Sequence, residues 1–158
     1  MRFTIFQDSR QGDREGNEDR VGYSYSRDVL LMVAADGMGG HAQGEVAAEI
    51  AVTEITRLFQ QEARNKLRRP SDFLVSVINA AHRAIVSHAV AENLLESPRT
   101  TCVVCIVQDG SAWWAHSGDS RLYVLRGGKL AAATQDHSRV QQMVDSGVIT
   151  PEAAALHP

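Results

Sequence analysis

The chain has little cysteine, proline or aromatic content and no strong excess of either charge. Its 158 residues include 2 cysteines, 4 prolines and 6% aromatic side chains, and the formal net charge is -3 at pH 7. Two cysteines cannot build the multi-disulfide scaffold of a small secreted domain. Because the charges nearly balance, no broad positive field attracts nucleic acid or anionic lipid, and we expect neither as a partner.

Long hydrophobic runs and a leader pattern are also missing. The longest apolar run, Val29–Ala35, is far shorter than the roughly 20 residues of a membrane-spanning helix. Residues 1–8 turn polar without an apolar core or a small-residue cleavage pattern, so we expect a cytoplasmic protein. The 44% hydrophobic and 22% charged residues are typical of a globular chain, and we expect one domain over 1–158.

The two cysteines have the Cys-x-x-Cys spacing found in redox and metal sites. Cys102 and Cys105 lie in a segment, 100–107, that is rich in β-branched residues and is predicted to be a strand. Side chains three residues apart in a strand point to opposite faces, so the two sulfurs cannot share one metal ion. We therefore expect two buried thiols with a structural role.

Hydrophobic periodicity predicts strands, then two helices, then further strands, followed by short helical segments at the end of the chain. The strongest signal is the continuous run Val29–Ala35, which is typical of a strand buried on both faces and which leads into Asp36. This order of elements predicts an α+β domain with helices packed on antiparallel sheet. The predicted strands are 3–6, 21–25, 29–35, 101–107, 112–116 and 122–125, and the predicted helices are 47–59, 71–89 and 139–146, with a helical start at 150–152.

Local signals define some of the boundaries. Ser71 is the predicted cap of the second helix, and Thr150 is the predicted cap of the last one, with proline in its first position. A hairpin turn is predicted at 126–129. The basic link between the two main helices, 64–70, is expected to be solvated rather than to form a phosphate-binding patch.

Acidic residues follow a strand or a glycine turn at several places. Asp36 comes directly after the most hydrophobic strand and is followed by Gly37. A carboxylate in such a position needs a cation or hydrogen bonds, and magnesium accepts one or two carboxylates together with carbonyl and water oxygens. Asp36 is therefore either a metal ligand or the cap of the next helix. Asp119 is either a further site residue or one half of a surface ion pair with Arg121.

Five short motifs follow one another along nearly the whole chain. Together they resemble the metal-dependent serine/threonine protein phosphatases of the type 2C family, in their bacterial form. Any one of them is modest, but five in the same order are highly specific. The motifs are Arg14–Asp19, Ala35–His41 with Gly44–Glu45, Thr100–Thr101, Gly118–Arg121 and Thr134–Ser138.

The resemblance implies a four-layer sandwich of two antiparallel β-sheets flanked by helix pairs. It also implies a cleft at one sheet end that holds two magnesium or manganese ions, with a third, weaker ion nearby. By position, Asp36 would bridge the two ions and the Gly37 carbonyl would bind one of them. The other implied roles are phosphate binding for Arg14, metal or water binding for Asp19 with Glu18 beside it, and the third ion for Asp119.

The implied activity is hydrolysis of phosphoserine and phosphothreonine in proteins by a metal-activated water, in opposition to a serine/threonine kinase. The resemblance covers the N-terminal portion of the family domain and stops before two later acidic motifs, so weak metal binding is expected. A different class of function is a catalytically impaired module that binds phosphoproteins. A third hypothesis is an unrelated α+β domain that binds a metal or a nucleotide.

Four residues depart from the family pattern or have a role that needs separate discussion. Met38 stands where the animal branch of the family has a histidine proposed as general acid, and His41 is either that acid or a loop-packing residue. His137 is expected to be structural, at a strand-to-helix corner. Arg99 stands where the family more often has glycine, so the sequence leaves open whether the local backbone follows the family conformation.

Overall fold

A larger and a smaller antiparallel sheet, with helices, make up the fold in the computed structural model, which describes residues 1–38 and 42–154. The larger sheet has the order β1-β2-β4-β5, and the short β3 pairs with the end of β2. The predicted α+β class with two antiparallel sheets is confirmed. The strands are β1 (Asp19–Tyr25), β2 (Val29–Met38), β3 (Arg99–Thr100), β4 (Cys102–Gln108), β5 (Ser111–Ser117), β6 (Tyr123–Arg126) and β7 (Lys129–Ala133), and the helices are α1 (Ala42–Glu62), α2 (Pro70–Ala91), α3 (Arg139–Asp145) and α4 (Pro151–Ala154).

Strand β2 lies at the centre of the larger sheet and pairs with β1 and β4. The predicted strand ended at Ala35, but β2 continues to Met38 because its last two residues pair with the two residues of β3. Arg99 takes part in this pairing opposite Met38, so the side chain that departs from the family pattern fits a regular strand. The antiparallel register with β1 places the first residue of β1, Asp19, opposite Asp36.

The main core lies between the larger sheet and the pair α1 and α2. Alternate residues of β2 face the helices, and Val29 and Leu31 are fully buried there. Phe59 of α1 and Phe73 of α2 meet edge to face with ring centroids 6.1 Å apart. The helices therefore hold one face of the sheet rigid, and the site described below lies at the sheet end where β1 begins.

Helix α2 is long and apolar enough to cross a membrane by length and composition alone. Six of its apolar side chains are buried in the core, where α2 contacts α1 and β5. A buried stripe at three- and four-residue spacing is typical of a core helix of a globular domain. The buried residues are Phe73, Leu74, Val77, Ala81, Ile85 and Ala89.

Two local predictions were wrong. Residues 3–6 form no strand, and Phe6 is 88% exposed, because an apolar alternation without a neighbouring strand to pair with gains no ladder of hydrogen bonds.

Helix α2 begins at Pro70 rather than after a Ser71 cap, and the residue before it makes no side-chain cap bond. Proline in the first helical position has φ already fixed near the helical value, and the N–H that it lacks would have had no acceptor within the helix. Thr150 does cap α4, since its hydroxyl accepts the Ala153 N–H at 3.2 Å.

The basic link between α1 and α2 is docked on the turn between β4 and β5. The Gln108 side-chain oxygen accepts the Leu67 N–H at 2.8 Å, and its amide nitrogen donates to the Leu67 carbonyl at 3.1 Å. Lys66 forms an ion pair with Asp109. Leu67 is buried, so the link is anchored at its centre while its charges stay at the surface.

Both cysteines are free and buried, as predicted. Burial raises the pKa of Cys102 to about 12 and that of Cys105 to about 11. Since only the thiolate reacts with disulfide reagents, we expect no labelling of the native protein by dithiobis(nitrobenzoate) at pH 8 and labelling of both thiols in guanidinium. Rapid labelling of the native protein would show that β4 is accessible and would contradict this placement.

Candidate functional site

Asp19 and Asp36 form a pair of carboxyl groups at one end of the larger sheet. They lie opposite each other in the β1–β2 register, and their side chains are close enough to share a hydrogen bond. Partial burial and the neighbouring Asp19 raise the pKa of Asp36, Asp119 adds to this effect, and the Arg14 guanidinium opposes it. The cluster therefore carries more negative charge than its surroundings compensate, and a cation would stabilise it.

The backbone of Asp36 is fixed on both sides by the paired threonines. Its carbonyl oxygen accepts the Thr101 N–H at 2.8 Å and the Thr100 hydroxyl at 2.9 Å. Its own N–H donates to the Thr101 hydroxyl oxygen at 3.1 Å. The direction in which the Asp36 carboxyl group leaves the strand is therefore set by the β2–β3–β4 connection rather than by a free loop.

Glycines are required where the start of α1 approaches the end of β2. A Cβ atom on Gly37 would overlap the carbonyl group of Gly44, and a Cβ atom on Gly44 would overlap the Glu18 carboxylate. The Gly37 N–H donates to the Glu18 carbonyl at 3.3 Å. Glu18 thus lies against the helix start beside the acidic pair, which is the neighbouring position that the sequence predicted for it.

The loop before β1 is held by a network that the sequence analysis missed. Arg20 donates to the carbonyl oxygens of Asn17 at 3.0 Å and Asp19 at 2.8 Å, and it forms an ion pair with Glu45 in the first turn of α1. The Asn17 side chain accepts the Asp19 N–H at 2.9 Å and donates to Ser9 at 2.8 Å. Arg20 directly follows one motif and Glu45 belongs to another, but only the folded structure shows that they meet.

A polar cleft of about 410 Å³ opens beside the acidic pair. Arg14 lies in it, and the turn that carries Arg14 is closed by a hydrogen bond from the Gln11 side chain to the Arg14 carbonyl at 2.6 Å. Arg10 is a second cation in the cleft that the sequence analysis did not single out. The lining comprises Arg10, Gln11, Arg14, Glu15, Gly16, Asn17, Glu18, Asp19, Asp36 and Gly37.

Asp119 follows β5 on an exposed turn, near enough to act electrostatically on Asp36. The alternative ion pair with Arg121 is wrong, because Arg121 binds both carboxylate oxygens of Asp136 at 2.7 Å. This pairing lowers the pKa of Asp136 through hydrogen bonding to the guanidinium. The turn thus presents the Asp119 carboxylate without the partner that the sequence suggested for it.

The donor set fits a weakly held divalent cation. Within residues 1–38 and 42–154, no group of three or more histidine, cysteine, aspartate and glutamate side chains is arranged to hold a metal ion. The structure brings Asp19 and Asp36 together and leaves Asp119 outside such a group. Magnesium and manganese accept two carboxylates with water completing the coordination, so the pair suits such an ion with low affinity.

The histidines differ in what the structure shows of them. His41 lies outside the described residues. The His137 ring stacks on His116 with centroids 4.2 Å apart, and the His137 N–H donates to the Gly118 carbonyl at 2.9 Å. These contacts give His137 a place at the corner between β7 and α3.

Comparison with known proteins gives one consistent family. The protein phosphatase 2C family pattern matches residues 7–145 of the chain. The serine/threonine protein phosphatase PstP of Mycobacterium tuberculosis is 39% identical over 145 residues, which cover 92% of this chain and 27% of that protein. A serine/threonine phosphatase from Staphylococcus aureus has a similar fold, with a TM-score of 0.82, 36% identity, and coverage of 97% of this chain and 60% of the solved one.

A second similar structure contains metal. The catalytic domain of PstP in complex with two manganese ions aligns with a TM-score of 0.73 and 37% identity, over 89% of this chain and 58% of that domain. The chain therefore spans about three fifths of the solved phosphatase domains it matches.

Proposed function

The chain belongs to the protein phosphatase 2C family, and on that premise we propose that it removes phosphate from phosphoserine and phosphothreonine in proteins. The observation that carries the proposal is the Asp19–Asp36 pair beside a cleft that also contains Arg14. Carboxylates that bind divalent cations next to an arginine that binds phosphate are what a metal-assisted phosphatase requires. The expected partners are phosphorylated proteins and the serine/threonine kinase that modifies them.

The acidic pair and its neighbour Gly37 would hold magnesium or manganese. Asp36 and Asp19 would supply carboxylate oxygens, and Gly37 would supply its carbonyl oxygen, with Asp119 contributing to a weaker third ion. Glu18 would act through its contact with the start of α1 rather than as a ligand. When bound, such ions lower the pKa of an attacking water and offset charge on the phosphoryl group.

Arg14 would orient the substrate. A guanidinium group binds two phosphate oxygens at once and stays charged at any pH the protein meets. The turn from Gln11 to Arg14 fixes the backbone from which this side chain enters the cleft. Because Arg14 lines the same cleft as the acidic pair and acts electrostatically on Asp36, a phosphate bound to it would lie near the cation-binding carboxylates.

The cysteines favour this route over a covalent one. A cysteine phosphatase needs a thiolate in an electropositive, accessible site. Cys102 and Cys105 are buried within β4, and burial holds both pKa values well above neutral. They are therefore unsuited to attack phosphorus, and an activated water is the nucleophile that the site supports.

The same geometry supports one alternative. A module that binds phosphoproteins without turnover would need Arg14 and the cleft but not a complete metal centre, and among the described residues no group of three or more histidine, cysteine, aspartate and glutamate side chains is arranged to hold a metal ion. A phosphothreonine peptide and p-nitrophenyl phosphate distinguish the two functions when phosphate release is measured with and without manganese. Phosphate release that needs manganese supports the phosphatase, and saturable peptide binding without release supports the binding module. A chain that shows neither release nor binding would overturn both functions.

A further inference from the structure

We propose that the Thr101 hydroxyl is a positioning group that holds the turn carrying Asp119 in register with Asp36. In this role it sets how tightly a divalent cation binds to the pair Asp19 and Asp36, with Asp119 beside it. The inference rests on the proposed function, since it concerns how the same cation site is built.

Thr101 forms hydrogen bonds with both backbone polar groups of Asp36, the N–H and the carbonyl oxygen. Its backbone N–H donates to the Asp36 carbonyl at 2.8 Å, and its hydroxyl oxygen accepts the Asp36 N–H at 3.1 Å. The residue is only 3% exposed, so water does not compete for these bonds. Thr101 therefore moves with the strand end from which the Asp36 carboxyl group projects.

The same hydroxyl also reaches the turn after β5. It shares a short hydrogen bond with the Ser120 hydroxyl, in which either oxygen can be the donor, while one of its lone pairs accepts the Asp36 N–H. The Thr101 methyl group packs against Gly118, where an added Cβ would lie 2.7 Å from it. Gly118 has φ +96°, a conformation that favours glycine, so the turn fits closely on this one side chain.

These contacts bracket Asp119 on both sides, at Gly118 and at Ser120. Asp119 itself is exposed and belongs to neither strand, so its distance from Asp36 depends on what clamps the turn. The Thr101 hydroxyl is one atom that touches both the Asp36 backbone and the residue after Asp119. Removing a group that orients a metal ligand through hydrogen bonds, without touching the metal itself, typically lowers metal affinity by about 10–100-fold.

Three substitutions distinguish a positioning role of the Thr101 hydroxyl from a general contribution to the stability of the fold. Thr101→Val keeps the shape and removes the hydroxyl, Thr101→Ser keeps the hydroxyl and removes the methyl group, and Ser120→Ala removes only the outer partner. We expect Thr101→Val and Ser120→Ala to weaken manganese binding about tenfold and Thr101→Ser to retain it within about threefold. Manganese is titrated by water proton relaxation, and unfolding temperature is measured without metal.

A metal-free measurement completes the test. In amide nitrogen–proton spectra, Thr101→Val should shift the resonances of Asp119 and Ser120, whereas Thr101→Ser should leave them near their original positions. Unchanged Asp119 and Ser120 resonances in Thr101→Val, equal loss of manganese affinity in the valine and serine variants, or no manganese binding by the unmodified chain would each overturn the inference. Should Thr101→Val fail to fold, Ser120→Ala carries the same comparison at a less buried residue. A chain that binds manganese but releases no phosphate would refute the proposed phosphatase while these spectra still decide the role of Thr101.

Discussion

Asp36→Asn is expected to lower manganese-dependent phosphate release by about 10³-fold or more. A metal site supplies several kcal/mol of transition-state stabilisation, and each tenfold change in rate corresponds to about 1.4 kcal/mol. Asparagine has nearly the same shape but carries no charge for the cation. The fold should not suffer, since partial burial and the neighbouring Asp19 already disfavour the charged form of Asp36 and raise its pKa. Initial rates on p-nitrophenyl phosphate and thermal unfolding of the same samples measure both effects.

Asp28→Asn is the matched control for this substitution. Asp28 precedes β2 at the opposite end of the strand, where its carboxylate lies 3.7 Å from the N-terminal amine. An exposed pair of this kind contributes little to stability, so activity should stay within about twofold. Equal activity in Asp36→Asn and in the unmodified chain would remove Asp36 from the proposed mechanism.

Gly37→Ala is expected to destabilise the protein by about 3 kcal/mol or more, because a methyl group there would overlap the Gly44 carbonyl and backbone atoms cannot move aside as a flexible side chain can. To relieve the overlap, the start of α1 would have to move away from the end of β2. Glu18 would then lose its contact with the start of α1 beside the acidic pair, so we expect phosphate release to fall as well. Chemical denaturation gives the free energy of unfolding directly.

Gly16→Ala provides the comparison within the same cleft. Nothing lies within 4 Å of the Cβ position at Gly16, and its backbone does not require positive φ. Its free energy of unfolding should therefore change by no more than about 0.5 kcal/mol. Similar destabilisation at both glycines would show that the close approach of α1 to β2 is not what constrains Gly37.

The elements that the sequence predicted best are those whose signal is local. The run Val29–Ala35 and the apolar spacing in α1 and α2 reflect burial of one strand and two helix faces, and the structure has all three elements, each longer than its apolar residues indicated. Residues 3–6 have a similar local alternation but no partner strand. Alternation reports which residues suit a strand, whereas pairing depends on the rest of the fold.

The candidate site was predictable as residue types but not as contacts. Asp36, Gly37 and Arg14 were identified through motifs, and their contact with one cleft follows only from the β1–β2 register. The roles of Arg20 and Thr101 were missed because their partners lie 25 residues away at Glu45 and 65 residues away at Asp36. Nothing in a local pattern reports hydrogen bonds over such separations, and the same reason explains why the sequence offered Asp119 as an alternative partner for Arg121 and did not indicate Asp136.

Direct titration with manganese tests the central claim that Asp19 and Asp36 form the cation-binding part of a phosphatase site. Calorimetry on the 158-residue chain, with Asp36→Asn, Asp19→Asn and the control Asp28→Asn, measures binding without relying on turnover. The account predicts saturable manganese binding by the unmodified chain and by Asp28→Asn, and its loss in the other two variants. Equal binding by all four proteins, or binding by none, would contradict it.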